Sequence, residues 1–312
     1  VAWLFSVVLG AAFSTSDEDF SEAEARIFAS LSQAAYCGSH HPQAEQLLSW
    51  SCVPCGDSGV EAVPGSVRIA WHSEVGNNNA TFAYVARLAA PDRFADKCLV
   101  SIRGSATIAN WAGNFEFWKE PVPLEDCSGC AAEKGFYSIW RGLKPTILTN
   151  LDDVGCGPES GRSIIFTGHS MGGAVAVLAM YSLYTRGYKI EPGMTFEAPR
   201  VGNAAFVDAF ASVFQSNLTR RLWRVTRYMD PVPLLPPRAL GYEHVDEEIY
   251  YDEHANYHVC NGGEDPKCIN ANSLPISILH AADHCESPLV PSGRICGCQV
   301  APTAVPAGIL VV

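Results

Sequence analysis

The first half of the chain combines one helical pattern with several short apolar runs. Residues 21–36 place apolar side chains at helical spacing after a Ser–Glu start, which predicts an amphipathic helix. Residues 82–89 and 97–104 are short, mostly apolar runs that are typical of strands. Residues 162–168, RSIIFTG, form a continuous apolar run, which favours a strand that is buried on both faces of a parallel sheet.

Helical and strand patterns alternate along the second half of the chain. Residues 174–188 are apolar nearly all round, as in a buried helix, and a strand is predicted next over 194–202. A second helix over 203–214 is followed by a strand over 221–230. Strands that alternate with helices predict an α/β protein with parallel central strands.

The two ends of the chain differ from its centre. Residues 1–15 are an apolar run followed by small residues, which predicts a secretory signal peptide whose charged start is missing; a buried first strand or helix is the alternative. The run is too short to span a bilayer, so no stable membrane anchor is expected. Residues 16–290 are predicted to form one domain, because no Pro-, Gly- or Ser-rich linker divides them. Residues 291–312 are predicted to be an irregular tail.

The charge balance narrows the range of partners. The formal net charge is −12, from 33 acidic and 21 basic residues. Such a chain repels phosphate backbones and anionic membranes, so nucleic acid is not an expected partner and any contact with lipid has to be apolar. The acidic runs at 17–19 and 246–248 are interpreted as solvated surface.

The twelve cysteines indicate an oxidising compartment. Two Cys-x-x-Cys pairs, Cys52/Cys55 and Cys127/Cys130, raise zinc ligation as an alternative. Disulfides are favoured, because the two pairs lie far apart in the sequence and an exported chain has its thiols oxidised. Two Asn-x-Thr triplets are candidate glycosylation sites, which also agrees with secretion. No metal or other cofactor is expected, and the sequence does not predict the oligomeric state.

The stretch GHSMGG at 168–173 predicts a nucleophile elbow. It follows a predicted strand and opens a predicted helix, which is the context that a Gly-x-Ser-x-Gly elbow requires. Gly168 and Gly172 leave room for a sharp turn, and Ser170 then lies at the N-terminus of the helix. The alternative is a tight strand–helix turn without chemistry.

A serine hydroxyl needs a base, and the base needs an acid to orient it. In elbow enzymes the order along the chain is serine, acid, histidine. Asp230 directly follows a predicted strand and precedes a proline, so it is the predicted acid. Asp208 falls in a predicted helix, and Asp246 and Asp252 fall in acidic stretches, which makes them weaker candidates.

Five histidines follow the serine. His244 is close to Asp230 in sequence, and His254 and His258 lie in a polar segment. His280 and His284 lie in a late, partly helical stretch, and sequence order alone leaves both of them open as the base.

Several motifs in a fixed order resemble the class 3 lipases, the family of secreted filamentous-fungal lipases and feruloyl esterases. The resemblance covers roughly residues 25–287. It rests on five segments. Residues 100–114 resemble the family's strand, Arg-Gly-Ser and lid segment, and residues 164–180 resemble its elbow. Residues 194–203 resemble its strand and turn, residues 227–244 its Asp–Pro-rich segment that ends in Gly-aromatic-x-His, and residues 283–284 its late Asp-His pair.

The resemblance implies an α/β-hydrolase fold, with a mostly parallel central sheet, flanking helices and a short helical lid. It selects His284 as the base, with His280 as the runner-up, and it gives His244 a structural place near the site. It also implies two donors for the oxyanion of an acyl-transfer intermediate. One is the backbone N–H of Met171, directly after the nucleophile, and the other is Ser105.

The chain departs from the family pattern at three places. Glu197 stands where glycine is usual, Ala132–Glu133 stands where Val-His is frequent, and Ser287 stands where an aromatic residue is frequent. Because Ser287 follows His284 by three residues, the wall of the pocket near the base is expected to differ from the family, and the acyl-chain preference with it.

Four bulky residues follow the predicted oxyanion donor: Ile108, Trp111, Phe115 and Trp118. Their spacing of three, four and three places them on one face of a helix. A helix facing the core is the ordinary interpretation. The resemblance instead implies a lid whose apolar face covers the site when closed and meets lipid when open.

The leading hypothesis is a secreted triacylglycerol or acylglycerol lipase that works at an oil–water interface with Ser170, Asp230 and His284. A feruloyl-type or other carboxylesterase and a phospholipase A1 are the alternatives within the enzyme class. The apolar lid favours the lipase, because the resemblance gives feruloyl esterases more polar lids. An inactive α/β-hydrolase domain that binds lipid is the alternative outside it.

Overall fold

The computed structural model describes most of the chain between residues 20 and 299. The described ranges are 20–39, 42–73, 81–89, 92–105, 117–124, 126–191, 193–214 and 222–299. Within them the strands are β1 (Arg68–His72), β2 (Thr81–Arg87), β3 (Cys98–Ile102), β4 (Lys119–Pro121), β5 (Ala131–Glu133), β6 (Ser163–His169), β7 (Lys189–Ile190), β8 (Met194–Phe196), β9 (Trp223–Arg227), β10 (Glu247–Tyr251) and β11 (Tyr257–Val259).

The α-helices of the described residues are α1 (Glu22–Ala34), α2 (Gln43–Leu48), α3 (Val53–Asp57), α4 (Lys134–Asp153), α5 (Met171–Tyr184), α6 (Ala204–Phe214) and α7 (Leu274–Ser277). Short 3-10 turns cover Ala35–Ser39, Asp92–Phe94, Pro158–Ser160, Val232–Leu234, Arg238–Leu240, Ile269–Ala271, Ile278–His280 and Asp283–Cys285. In the described part of the chain, no helix has both the length and the apolar character needed to cross a bilayer.

A mostly parallel central sheet organises the molecule. Its strand order is β1-β2-β3-β6-β8-β9-β10-β11, with β7 also paired to β6. Strands β3, β6, β8, β9 and β10 run parallel to their neighbours, whereas β1–β2–β3 and β10–β11 are antiparallel at the two edges. This architecture confirms the predicted α/β-hydrolase fold, a mostly parallel sheet with flanking helices.

Helices cover both faces of the sheet, so its central strands are buried twice. In β6, Ile164 and Phe166 pack into the cluster that contains α4, α5 and α6, whereas Ile165 packs into the cluster that contains α1. This alternation is the period of two that a strand imposes. Helix α5 is buried from Met171 to Leu183, which confirms the helix predicted from its apolar character on all sides.

The longest helix, α4, has no counterpart among the predicted elements. Its sequence contains two glycines and an internal Pro145, all of which lower helix propensity. Packing overrides propensity here, because Trp140, Leu143 and Ile147 return to one buried face. Glu133 begins the helix by accepting a hydrogen bond from the Phe136 N–H at 2.8 Å.

All twelve cysteines are paired in disulfides. Each Cys-x-x-Cys pair closes on itself, as Cys52–Cys55 and Cys127–Cys130. Long-range closure comes from Cys37–Cys298, which ties the late part of the chain to the segment after α1. The other bridges are Cys98–Cys156, Cys260–Cys268 and Cys285–Cys296.

Candidate active site

Ser170 occupies a sharp turn between β6 and α5. Its backbone has φ 59° and ψ −135°, a sparsely populated conformation for a residue other than glycine. The Ser170 N–H donates to the Phe196 carbonyl at 2.8 Å, so the turn continues the ladder toward β8. The strained strand–turn–helix geometry is that of a nucleophile elbow.

The two glycines of the elbow have no room for a side chain. A Cβ on Gly168 would lie 2.6 Å from the backbone carbon of Gly172. A Cβ on Gly172 would overlap the backbone carbonyl of Ile102 in the neighbouring strand β3. Close approach of the backbones therefore explains both glycines, as the sequence pattern predicts.

Asp230 and His284 meet in the interior of the protein. Asp230 follows β9 in a tight turn in which its Oδ1 accepts from the Val232 N–H at 2.8 Å. Its Oδ2 lies 2.7 Å from His284 Nδ1, and both side chains are fully buried. Because a carboxylate only accepts, Nδ1 carries the hydrogen and Nε2 is left able to accept a proton. Among the described residues, Nε2 has no hydrogen-bond partner.

The other late histidine, His280, lies in a different environment. Its side chain is 40% exposed, and its Nδ1 is 3.7 Å from Asp283. Its ring is packed edge-on against Tyr228. His284 is the one of the pair that contacts the predicted acid.

His169, next to Ser170, supports the backbone of His284. Its Nε2 lies 2.9 Å from the His284 carbonyl, and its Nδ1 lies 2.7 Å from the Tyr36 hydroxyl. A carbonyl can only accept, so Nε2 donates and Nδ1 accepts from Tyr36. Burial, with the charge of His284, holds the pKa of His169 well below its usual 6.5, which keeps this ring neutral.

His244 and Arg200 fix the turn that carries the acid. His244 Nε2 donates to the Pro233 carbonyl at 2.8 Å, and Arg200 donates to the Leu234 carbonyl at 2.7 Å. Burial, together with the charges of Arg224 and Arg200, lowers the pKa of His244 well below 6.5. His244 therefore lies beside the acid turn as a neutral donor.

The two residues predicted to receive the oxyanion lie side by side. The Ser105 hydroxyl is 3.3 Å from the Met171 sulfur, and Met171 is the first residue of α5. The N-terminus of a helix presents free N–H groups and a partial positive charge. Ser105 is partly exposed, whereas Met171 is buried.

Most of the predicted lid lies outside the described residues. Ile108, Trp111 and Phe115 fall within 106–116, which the structure does not describe. Trp118 is described, and its side chain is 65% exposed. Ser170 itself is only 2% exposed.

Two polar residues near the site carry no sequence prediction of a role there. Tyr36, at the end of the first helical segment, reaches His169. Glu197 is buried beside it, with its Oε2 3.8 Å from His169 Nε2. The departure of Glu197 from the family pattern is a signal in the sequence, but the contacts of Tyr36 come from long-range folding.

The interpretation of residues 246–248 as solvated surface is wrong. Asp246 and Glu248 are both buried. Asp246 accepts from the Leu222 N–H at 2.7 Å, and Glu248 accepts from the Thr226 hydroxyl at 2.6 Å, with Arg224 nearby. Asp246 thus binds the residue that precedes β9, and Glu248, which lies in β10, binds Thr226 of β9, so both carboxyl groups face polar partners in the interior rather than water.

The fold and the elbow define the chain as an α/β-hydrolase. The family model described as Lipase (class 3) matches residues 99–240. Secreted mono- and diacylglycerol lipase 1 of Fusarium solani is 30% identical over 262 residues, which cover 81% of this chain and 73% of the relative. The chain belongs to the class 3 lipase family.

Further relatives and solved structures agree with this assignment. Secreted mono- and diacylglycerol lipase A of Penicillium cyclopium is 33% identical over 173 residues, 55% of this chain and 54% of the relative. The native Rhizomucor miehei lipase propeptide complex superimposes with a TM-score of 0.66 at 25% identity, covering 88% of this chain and 81% of that one. A triacylglycerol lipase, described as having a serine protease triad at its catalytic centre, gives 0.63 at 26% identity, covering 83% of this chain and 91% of that one. The chain is a secreted carboxylic ester hydrolase.

Proposed function

We propose that Ser170, Asp230 and His284 form the catalytic triad of an acylglycerol lipase. The observation that carries the proposal is the buried 2.7 Å contact between His284 Nδ1 and Asp230. It fixes the tautomer in which Nε2 is free to take a proton from the serine of the elbow. Ser170 attacks the ester carbonyl, and His284 then protonates the leaving alcohol. A water molecule then attacks the ester formed on Ser170, with His284 again as the base, and releases the fatty acid.

The oxyanion of the tetrahedral intermediate is assigned to the start of α5 and to Ser105. The backbone N–H of Met171 follows the nucleophile directly, and the Ser105 hydroxyl reaches the Met171 side chain. Donors held at this position are already oriented when the negative charge develops, so they stabilise it without rearrangement. Losing one donor raises the activation free energy by about 3 kcal/mol. Because Ser105 is predicted to donate through its backbone as well, Ser105→Ala removes only the hydroxyl contribution.

The substrate proposal is a mono-, di- or triacylglycerol presented at an oil–water interface. Two relatives are named mono- and diacylglycerol lipases, which supports this substrate class. Ser170 is almost fully buried, so a covering segment has to move before a substrate reaches it. We assign that role to residues 106–118, because the sequence spacing of Ile108, Trp111, Phe115 and Trp118 predicts an apolar helix face there.

An exposed apolar segment close to His284 supports contact with a lipid surface. Residues 274–279, LPISIL, carry no charge, and Leu279 is 83% exposed. Ile276 and Ile278 are also exposed, and His284 follows Leu279 by five residues. Apolar contact is the mode that the acidic chain allows, because its charge opposes docking to anionic lipid.

A side-by-side assay tests the substrate class. Emulsified long-chain triacylglycerol, a diacylglycerol, a monoacylglycerol, a short soluble ester, a phospholipid and methyl ferulate are compared at equal ester concentration. The proposal predicts the highest rates on emulsified acylglycerols and a rise in rate above the solubility limit of the substrate. Preference for the phospholipid or for methyl ferulate would instead establish one of the alternative ester specificities.

Paired serine variants separate an enzyme from a lipid-binding domain. Ser170→Ala is expected to abolish hydrolysis while the thermal unfolding is unchanged. Ser182→Ala is the matched control, because Ser182 lies at the other end of the same helix and bonds Lys144. Twelve residues of helix place it about 18 Å away along the axis, so its activity is expected to be normal. Full hydrolysis by Ser170→Ala would refute the triad.

A further inference from the structure

Glu197 occupies a costly position at the end of strand β8. Its backbone has φ 48°, in the left-handed region that favours glycine. Its N–H donates to the Val225 carbonyl at 2.8 Å, which holds it in register with the neighbouring strand β9. Its side chain is only 1% exposed. A strained backbone and a buried carboxyl group are both unfavourable, and their coincidence points to a role in the site.

The carboxyl group of Glu197 faces the histidine that supports the proposed base. Oε2 lies 3.8 Å from His169 Nε2 and has no hydrogen-bond partner among the described residues. This distance would suit an ion pair. Burial, reinforced by the charge of Asp230, raises the pKa of Glu197 well above 4.5, whereas the pKa of His169 is lowered. Both shifts favour the uncharged forms, so the pair is neutral.

His169 has only one N–H to give, and at present the His284 backbone receives it. Nε2 is 2.9 Å from the His284 carbonyl, while Nδ1 is occupied by the Tyr36 hydroxyl. A carboxylate accepts a hydrogen bond roughly twice as strongly as a neutral carbonyl does. The charge on Glu197 therefore decides which acceptor holds the His169 N–H.

We propose that Glu197 is a positioning residue for His284 that acts through His169: its protonated carboxyl group leaves the His169 N–H on the His284 carbonyl, whereas its carboxylate takes that N–H away. The proton of Glu197 passes to solvent, and no other bond changes. The backbone of His284 then loses its buried donor, which removes a constraint on the position of the imidazole. This inference rests on the proposed role of His284 as the base.

Other ionisable groups around Glu197 set the pH at which this happens. The charge of Asp230 opposes ionisation of Glu197, and that of Arg227 favours it. Two tyrosines also face the carboxyl group, and their own pKa values are raised mainly by burial, so both stay neutral. The groups that face Glu197 are therefore Tyr36, His169, Arg227, Asp230 and Tyr251.

The test compares kcat as a function of pH for the wild-type protein and Glu197→Gln. Glutamine keeps the shape of the protonated acid and cannot ionise. Between about pH 5 and about pH 10, the wild type is expected to lose about tenfold or more in kcat with KM unchanged, because misalignment affects the chemical step. Glu197→Gln is expected to match the wild type near neutral pH and to lack this alkaline loss.

Glu133→Gln is the matched control. Glu133 is also a buried carboxyl group whose pKa is raised by burial, but its bonds go to the start of α4. Its profile is expected to keep the alkaline loss. Thermal unfolding gives a readout independent of activity. Protonation of Glu197 stabilises the fold fully below pH 4.5, and this contribution is lost as pH rises toward the raised pKa. As pH rises, the melting temperature of the wild type should therefore fall relative to that of Glu197→Gln.

Superimposable kcat profiles of the wild type and Glu197→Gln would overturn the inference, as would a wild-type profile without an alkaline loss in this range. A lower apparent pKa for the acid limb of the kcat profile in Glu197→Gln would also overturn the inference, because that result requires an ionised Glu197 beside the base at neutral pH. None of these outcomes touches the triad. Loss of the triad assignment would be seen instead as full activity in Ser170→Ala.

Discussion

Two neighbouring strands of the central sheet end in the same unusual way. Strand β6 leads into Ser170 at φ 59°, and strand β8 leads into Glu197 at φ 48°. Each of these residues donates its N–H to the next strand, Ser170 to Phe196 and Glu197 to Val225, both at 2.8 Å. Neither is a glycine, and both side chains are buried.

The surroundings of the two ends make them different. Beyond Ser170 comes a helix whose N-terminus stabilises negative charge, and glycines clear space around the turn. The backbone after Glu197 continues without a helix through 198–203, so its carboxyl group meets a histidine instead of free N–H groups. The same backbone strain therefore serves the proposed nucleophile at one strand and the support of the proposed base at the other.

The largest expected effect is at the Ser170 end. Ser170→Ala should lower kcat/KM on acylglycerol by a factor on the order of 10⁴ to 10⁶, because the covalent step is lost. The rate on an emulsified acylglycerol and the denaturation midpoint measure this together. A loss below tenfold in a folded variant would mean that the two strand ends do not differ in the way described.

Gly172→Ala should be the most damaging change to the fold of the elbow. The added Cβ overlaps the Ile102 carbonyl, and relief requires helix α5 and strand β3 to move apart. We expect a loss of about 3 kcal/mol or more in the free energy of unfolding, measured in urea with the disulfides intact. Gly56→Ala is the control, since a Cβ there meets nothing within 4 Å and should change stability by about 1 kcal/mol at most.

The two buried histidines, His169 and His244, should make the free energy of unfolding fall in acid. The pKa values of His169 and His244 are below 6.5 in the fold, so the unfolded chain binds protons that the native protein does not. The contribution of these two histidines to stability is therefore fully present above pH 6.5 and is lost below it, by about 1.4 kcal/mol per pH unit for each group. Urea titrations between about pH 5 and about pH 7 measure the slope. His169→Asn should remove the contribution of His169 to this slope, about 1.4 kcal/mol per pH unit, and leave that of His244. An unchanged slope would refute the neutral His169.

Glu197→Gly should have the smallest effect on stability, and one of opposite sign. Glycine relieves the positive φ and removes the buried carboxyl group, at the expense of greater freedom in the unfolded chain. We expect the free energy of unfolding at pH 7 to rise by about 1 kcal/mol, as measured by urea denaturation. A marked loss of stability would show that the side chain of Glu197 serves packing rather than the site.

The sequence is most informative where backbone geometry demands particular residues. The sharp strand–helix turn at Ser170 is predicted correctly, because Gly168 and Gly172 have no room for a Cβ, and the order of serine, acid and histidine then restricts the search for the other proposed site residues. Periodicity also predicts α1, α5 and α6, whose buried faces match their apolar patterns. The predicted strand over 194–202 is shorter in the structure and ends at Phe196, where the positive φ of Glu197 breaks the extended chain.

Long-range contacts are what the sequence does not predict. Glu248 is predicted to be exposed because it lies in an acidic run, yet its carboxyl group is buried against Arg224 and Thr226 on the adjacent strand. Helix α4 is not predicted, because Pro145 lowers the helix propensity of its sequence, and it is stabilised in the structure by its buried face. His169 and Glu197 are visible as residues, but their contact depends on bringing two strand ends together, which local patterns do not report.

Covalent labelling of the proposed nucleophile tests the central claim most directly. The protein is treated with an alkyl phosphonate ester, which reacts with a serine that a neighbouring base activates, and the modified peptide is identified by mass spectrometry. We predict one modified residue, Ser170, with labelling strongly slowed in His284→Ala and unaffected in His280→Ala. Modification of a different serine, or equally fast labelling of Ser170 in His284→Ala, would contradict the proposed triad.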